Sequence, residues 1–276
     1  MSIFESILLG IVQGLTEFLP VSSSGHLVIT SNILGLKPDL AFITVVHFAT
    51  LLAVLVYFFK DMILLTKNFF GGLFGLILKK KKISETYDDP YFKIATLIIV
   101  GTIPTVIIAL SFKDWFEMLF NSLLAVGCFL IITGIIIMHA ERISRSIKSE
   151  KEMSMLDAIY IGVFQGMAVA PGLSRSGLTV SASLLRGLKR PLAARFAFLL
   201  SIPAIVGATI YELKDIMELS FKGVGAVPLL LGVVSAFISG YFAIGFFIGL
   251  IKKKKISIFA YYCFIVGSFV VLKSFF

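Results

Sequence analysis

Between Pro20 and His26 the chain reads Pro-Val-Ser-Ser-Ser-Gly-His, and between Pro171 and Gly177 it reads Pro-Gly-Leu-Ser-Arg-Ser-Gly. Hydroxyls beside a glycine suit an anion, because serine caps a helix start and glycine lets backbone N–H groups come close to an oxyanion. One serine is enough for a cap, so the run Ser22, Ser23, Ser24, followed by Gly25 and His26, points to a phosphate cradle. The second string repeats the pattern in Ser174, Ser176 and Gly177. It adds Arg175, whose planar fork can grip two phosphate oxygens at once. His26 is close enough in sequence for a serine to attack phosphorus while the imidazole takes its proton and later activates water. Direct attack by water is the alternative.

Glu17 follows Gln13 by four residues, so both project from one face of a helix that runs into the serine-rich turn. Two roles are open to Glu17. It can be a buried ion-pair partner of Arg175, or it can hold a divalent cation against a pyrophosphate or move a proton, with Gln13 polarising the same region. An arginine in an apolar segment costs about 2.5–3.5 kcal/mol on the insertion scale, so Arg175 calls for an anionic partner. Elsewhere, His47 is either a packing or a site residue, Arg195 is expected to support the site or a carboxylate, and His139 is expected at a membrane edge.

These residues need helices to carry them, and the composition asks for a membrane around those helices. Hydrophobic residues make up 58% of the 276 and charged ones 15%, against about a quarter charged in soluble domains. Apolar runs at 41–59, 91–111 and 224–251 reach the roughly 20 residues that cross a hydrocarbon core. The net charge of +9 falls in short blocks between apolar runs, which marks topology and gives no reason to expect nucleic acid. The first 20 residues carry Glu5 and Glu17 without a basic leader, so no cleavable signal is expected. Cys128 and Cys263 lie in apolar stretches without disulfide or metal spacing and are expected to pack. The 27 phenylalanines are expected to face lipid or neighbouring helices.

The chain is internally repeated: residues 10–25, GIVQGLTEFLPVSSSG, align without a gap on residues 162–177, GVFQGMAVAPGLSRSG. Farther on, HFATLL from His47 echoes RFAFLL from Arg195, and the Cys-Phe segment at Cys128 echoes that at Cys263. This defines a single membrane domain with repeat one at 1–140, a basic linker at 141–153 and repeat two at 154–276. Each repeat opens with a broken apolar segment whose arms, 3–19 and 27–36 in the first, are short for a crossing and read as a re-entrant hairpin. About three spans follow each hairpin, at 41–59, 91–111 and 121–139, then at 191–211, 224–251 and 256–274. An odd number of crossings inverts the second copy, so the expected fold is an all-α integral membrane protein with an inverted-topology repeat. The positive-inside rule then places Lys79–Lys82, Arg142, Arg145, Lys148 and Lys252–Lys255 in the cytoplasm, with 61–78 lying amphipathically on that surface. Loops around Trp115 and Glu218 and both chain ends face outward. Ligand sites of such repeats form where the broken helices meet, so residues 20–26 and 171–179 should converge.

With QGLTEFLPVSSSGH at 13–26 and PGLSRSGLT at 171–179, the sequence resembles, along its whole length, the bacitracin-resistance type of undecaprenyl pyrophosphate phosphatase. The resemblance implies a hydrolase that converts undecaprenyl pyrophosphate to the monophosphate and recycles the carrier lipid for peptidoglycan, affecting bacitracin resistance. It implies a multi-pass protein of the bacterial cytoplasmic membrane with an outward-opening site, a divalent cation (Mg or Ca) and a homodimer as a further arrangement. By motif position, Glu17, Ser23, His26 and Arg175 correspond to the catalytic set, with Glu17 toward the metal. Gln13, Ser22, Ser24, Gly25, Ser174, Ser176 and Gly177 correspond to substrate contacts. Position 13 is Glu in many relatives, and Gln here weakens any scheme with two metal-binding carboxylates. Acid-phosphatase-like lipid phosphatases also pair Ser with Arg, but their Ser-Arg-x5-His-x3-Asp pattern would fall here on Ser181 and Leu185. A transporter or lipid flippase is the other rival, since inverted repeats with broken helices also serve alternating access.

Overall fold

The computed structural model describes residues 1–36, 40–80, 82–120, 122–218, 225–253 and 255–275. Helices account for nearly all of them. In chain order these are α1 (Ile3–Phe18), α2 (Ser23–Ile33), α3 (Leu40–Tyr57), α4 (Phe59–Ile77), α5 (Ile83–Tyr87), α6 (Pro90–Ser111) and α7 (Lys113–Phe120). They continue as α8 (Leu123–Ile143), α9 (Met155–Met167), α10 (Arg175–Leu185), α11 (Arg190–Glu218), α12 (Ala226–Lys253) and α13 (Ser257–Lys273). Among the described residues no strand forms, and the protein is all-α. Among the described residues four segments are long and apolar enough to cross a membrane: Pro90–Ser111, Leu123–Ile143, Arg190–Ile210 and Ala226–Lys253. The pair α3 and α4, bent by 76°, adds a fifth only if it is counted as one broken span. The protein is therefore a multi-pass helical membrane protein.

The two broken segments follow from local chemistry. Ser2 and Glu5 form a capping box that starts α1. Pro20 ends it, because a proline disfavours helical geometry in the residue before it; Leu19 is extended at φ −78°, ψ 144°. The chain reverses through Ser22, at φ 70°, and Ser22 then caps α2 by accepting from the Gly25 N–H at 3.3 Å. In the second copy Ser154 and Asp157 cap α9, Pro171 and Gly172 make the break, and Ser174 caps α10 by accepting from the Gly177 N–H at 3.1 Å. Gly172 sits at φ +93°, a conformation that suits glycine.

Each first arm packs on a span of the other copy: α1 lies along α12, and α9 lies along α6. Glycines permit both close crossings. A Cβ at Gly14 would overlap Ser239 and the Ala236 carbonyl on α12, and one at Gly162 would overlap the Gly101 carbonyl on α6. Gly10 and Gly166 complete two small-xxx-small faces of the kind that brings membrane helices together. Helix α8 packs along α13 and touches both α2 and α10, which places it behind the two breaks.

Some elements match expectation and others differ. Helix α13 keeps the expected bounds to within a residue, but its 17 residues reach about 25 Å at 1.5 Å per residue, short of a hydrocarbon core of about 30 Å. The 76° bend at Phe58 turns α4 away from α3, as expected of a segment lying along a surface. The loop around Trp115 contains a helix, α7, and α8 continues through Ile143. Most of the Glu218 loop, and parts of the lysine runs at 79–82 and 252–255, lie outside the described residues. Arg195 is not drawn toward the two breaks. It pairs with Asp61 and with Glu150, the latter at 2.5 Å, so of its two expected roles it takes the carboxylate one.

Candidate active site

The last turns of α1 carry Gln13 and Glu17, both buried. The Gln13 amide Nε2 donates to Glu17 Oε2 at 2.8 Å, and the Ser23 hydroxyl donates to the same oxygen at 2.5 Å. The other carboxylate oxygen, Oε1, forms an ion pair with Arg175 Nη2 from the second break. His47 Nε2, from α3, lies 3.8 Å from Oε2. Glu17 is thus the hub on which both breaks converge. A buried carboxylate is tolerable only when paired and hydrogen-bonded, and here a guanidinium, an amide and a hydroxyl meet it.

The two tips touch. The Ser176 hydroxyl donates to the Leu19 carbonyl at 2.9 Å. A Cβ on Gly25 would lie 3.4 Å from Gly172 Cα, and one on Gly177 would lie 3.3 Å from Pro20 Cβ. Ser22 and Ser24 hydroxyls are 3.3 Å apart, and Ser174 and Ser176 hydroxyls 3.2 Å apart, the same pattern in both copies. Two capped helix starts therefore lie close together, and their unpaired N–H groups and dipoles favour negative charge between them. Convergence of residues 20–26 with 171–179, the central expectation, is what the structure shows.

His26 departs from expectation in its partners. Its Nδ1 is 2.8 Å from the Ser22 carbonyl and its Nε2 is 2.7 Å from the Tyr262 hydroxyl. The Ser23 hydroxyl, expected on His26, is instead on Glu17. The reason is local: a histidine in the first turn of α2 reaches back four residues to the capping carbonyl, so Nδ1 is occupied there, and Nε2 is occupied by Tyr262. Two further residues escaped sequence reasoning. Tyr262 stands 236 positions from His26, where no spacing rule reaches. Thr133 of α8 accepts from the Ser174 N–H at 3.1 Å and donates to the Gly172 carbonyl at 3.2 Å, bracing the second tip. Cys263, expected to pack, is buried and also donates to the Pro20 carbonyl at 3.6 Å, whereas Cys128 is exposed.

The second copy does not make a second site. Gln165 matches Gln13 in the repeat, but its amide donates to Thr105 and to the Leu200 carbonyl. The position matching Glu17 is Val169, so no carboxylate stands there. The position matching Ser23 is Arg175 itself, so the two copies give one site its hydroxyl and its guanidinium.

A hard cation has a partial set of donors here. Gln13 Oε1 is buried without a hydrogen-bond partner beside the Glu17 carboxylate. Among the described residues no group of three or more His, Cys, Asp or Glu surrounds a common point. That donor set suits an ion of the magnesium or calcium type only if phosphate oxygens complete the coordination.

A polar site, built where two broken helices meet inside a multi-pass helical protein, defines the structural class. The pattern described as "Bacitracin resistance protein BacA" matches residues 6–269, and the chain belongs to that family. It is 45% identical over 276 residues to an "Undecaprenyl-diphosphatase" of Alkaliphilus metalliredigens, covering 99% of each chain. Proteins of the same name from Methanosphaera stadtmanae and Carboxydothermus hydrogenoformans are 43% and 45% identical, with 99% and 97% of this chain covered.

Proposed function

We propose that this chain hydrolyses undecaprenyl pyrophosphate to undecaprenyl phosphate and inorganic phosphate, at the site between α2 and α10. The observation that carries the reading is the grouping of the Ser23 hydroxyl and the Arg175 guanidinium on one buried carboxylate, Glu17, between two helix starts. The prenyl tail stays in lipid while the diphosphate enters between the tips. Arg175 has five N–H donors, so the ion pair with Glu17 leaves others for phosphate oxygens. Ser23 attacks the terminal phosphorus: the Oγ–P bond forms, the bridging P–O bond breaks, undecaprenyl phosphate leaves, and the hydroxyl proton passes to Glu17. Water, with His26 as its base, then releases phosphate from the serine. Direct attack by water, with Ser23 as a contact, is the variant to be distinguished.

A divalent cation belongs to this reading, with Glu17 and the Gln13 carbonyl to hold it. When bound, it would neutralise charge on the pyrophosphate. We also place access to the site at the outer face of the cytoplasmic membrane, a reading that rests on the family resemblance alone.

The test is phosphate release from the polyprenyl pyrophosphate by the purified protein, with and without chelator. Wild type should turn over and chelator should suppress it. Ser23→Ala and Arg175→Ala should each lose about 100-fold or more in kcat. Near-full activity in Ser23→Ala would remove the phosphoserine route.

A further inference from the structure

The two nitrogens of the His26 ring have different tasks. Nδ1 faces the Ser22 carbonyl at 2.8 Å, and a carbonyl only accepts, so Nδ1 carries a hydrogen in every protonation state. Any proton that His26 gains or loses must therefore pass at Nε2. That nitrogen lies 2.7 Å from the Tyr262 hydroxyl, with the two rings 14° from parallel. Toward a neutral ring the phenol donates, and toward a charged ring it accepts.

Helix α13 is held in register for this contact at two other points. The adjacent Cys263 is buried and donates to the Pro20 carbonyl in the first tip. Farther along, Lys273 Nζ donates to Asn32 Oδ1 near the end of α2 at 3.2 Å. Tyr262 itself is 42% exposed, so its phenol has an open side.

We propose that Tyr262 is a positioning residue for the hydrolysis, holding the His26 ring so that Nε2 is presented for proton exchange and yielding its place when water or phosphate arrives. The inference rests on the reading of the chain as a pyrophosphate hydrolase that uses His26. Tyr262→Phe keeps the aromatic ring and its packing and removes one oxygen, so the fold should survive.

The experiment compares full-length wild type, Tyr262→Phe, His26→Gln and the double variant in steady-state phosphate release from undecaprenyl pyrophosphate. It adds 15N spectra of histidine-labelled protein, in which His26 is assigned by its loss in His26→Gln. Tyr262→Phe should lower kcat on the order of 10-fold, less than loss of the base itself, with KM held within about 2-fold. The same change should cost nothing further in the His26→Gln background, and the Nε2 resonance of His26 should move. An equal loss in both backgrounds, an unchanged kcat or an unmoved Nε2 resonance would overturn the proposal. A wild type that releases no phosphate would instead overturn the hydrolase reading itself.

Discussion

At the scale of single residues, Glu17 has the most to satisfy. One carboxylate meets an amide, a hydroxyl and a guanidinium that come from three separate helices. Its neighbour Gln13 is the natural place to change the balance. Gln13→Glu replaces a donor with a second carboxylate facing the first, and two adjacent carboxylates favour a shared cation. Hydrolysis by that variant should therefore reach its half-maximal rate at a lower magnesium concentration than wild type. A titration indistinguishable from wild type would place the cation away from position 13. The pairing of Gln13 with Glu17 was legible because a four-residue spacing fixes one helix face. The partner of Arg175 was narrowed to an anion by the cost of its charge, with Glu17 as one option. The partner of His26 was not legible, since proximity in sequence favoured Ser23 and the actual contact arrives from the end of the chain.

At the scale of elements, the breaks were readable from Pro20, Pro171 and the serine caps, because each has a defined local effect on the backbone. The turn near Phe58 and the run of α13 were also readable, from the surface segment expected at 61–78 and the apolar run at 256–274, whereas helix α7 was not, because composition alone does not say how much of a loop is helical. The partners of the first arms were also hidden, although Gly10, Gly14, Gly162 and Gly166 were in plain view. A valine at Gly14 or Gly162 would force α1 from α12 or α9 from α6. Each should lower stability by about 1–3 kcal/mol, measured as a fall in the thermal unfolding midpoint in detergent, with activity lost in proportion to the misplacement of its tip. Gly207→Ala, where nothing lies within 4 Å of the added carbon, should leave the midpoint unchanged or raise it slightly.

At the scale of the whole molecule, the two copies do not form separate lobes, since the first arm of each rests on a span of the other. Charged contacts add further ties: Glu141 on α8 meets Arg190 of α11 and the Ile256 N–H before α13, and Lys148 of the linker meets Asp157 on α9. Residues 1–153 and 154–276 made as separate chains should accordingly be inactive alone and regain phosphate release when produced together. Activity in either half by itself would contradict a site drawn from both. The clasp of α12 on α1 also bears on how the protein is made. Synthesis runs from the first residue to the last, so Gly10 and Gly14 enter the membrane when nearly the whole chain separates them from the surface that will cover them. Until residues 226–253 leave the ribosome, the opening hairpin must wait in the bilayer with its closest-packing face uncovered, so the final seating of α1 comes after every span that precedes α12 has been made.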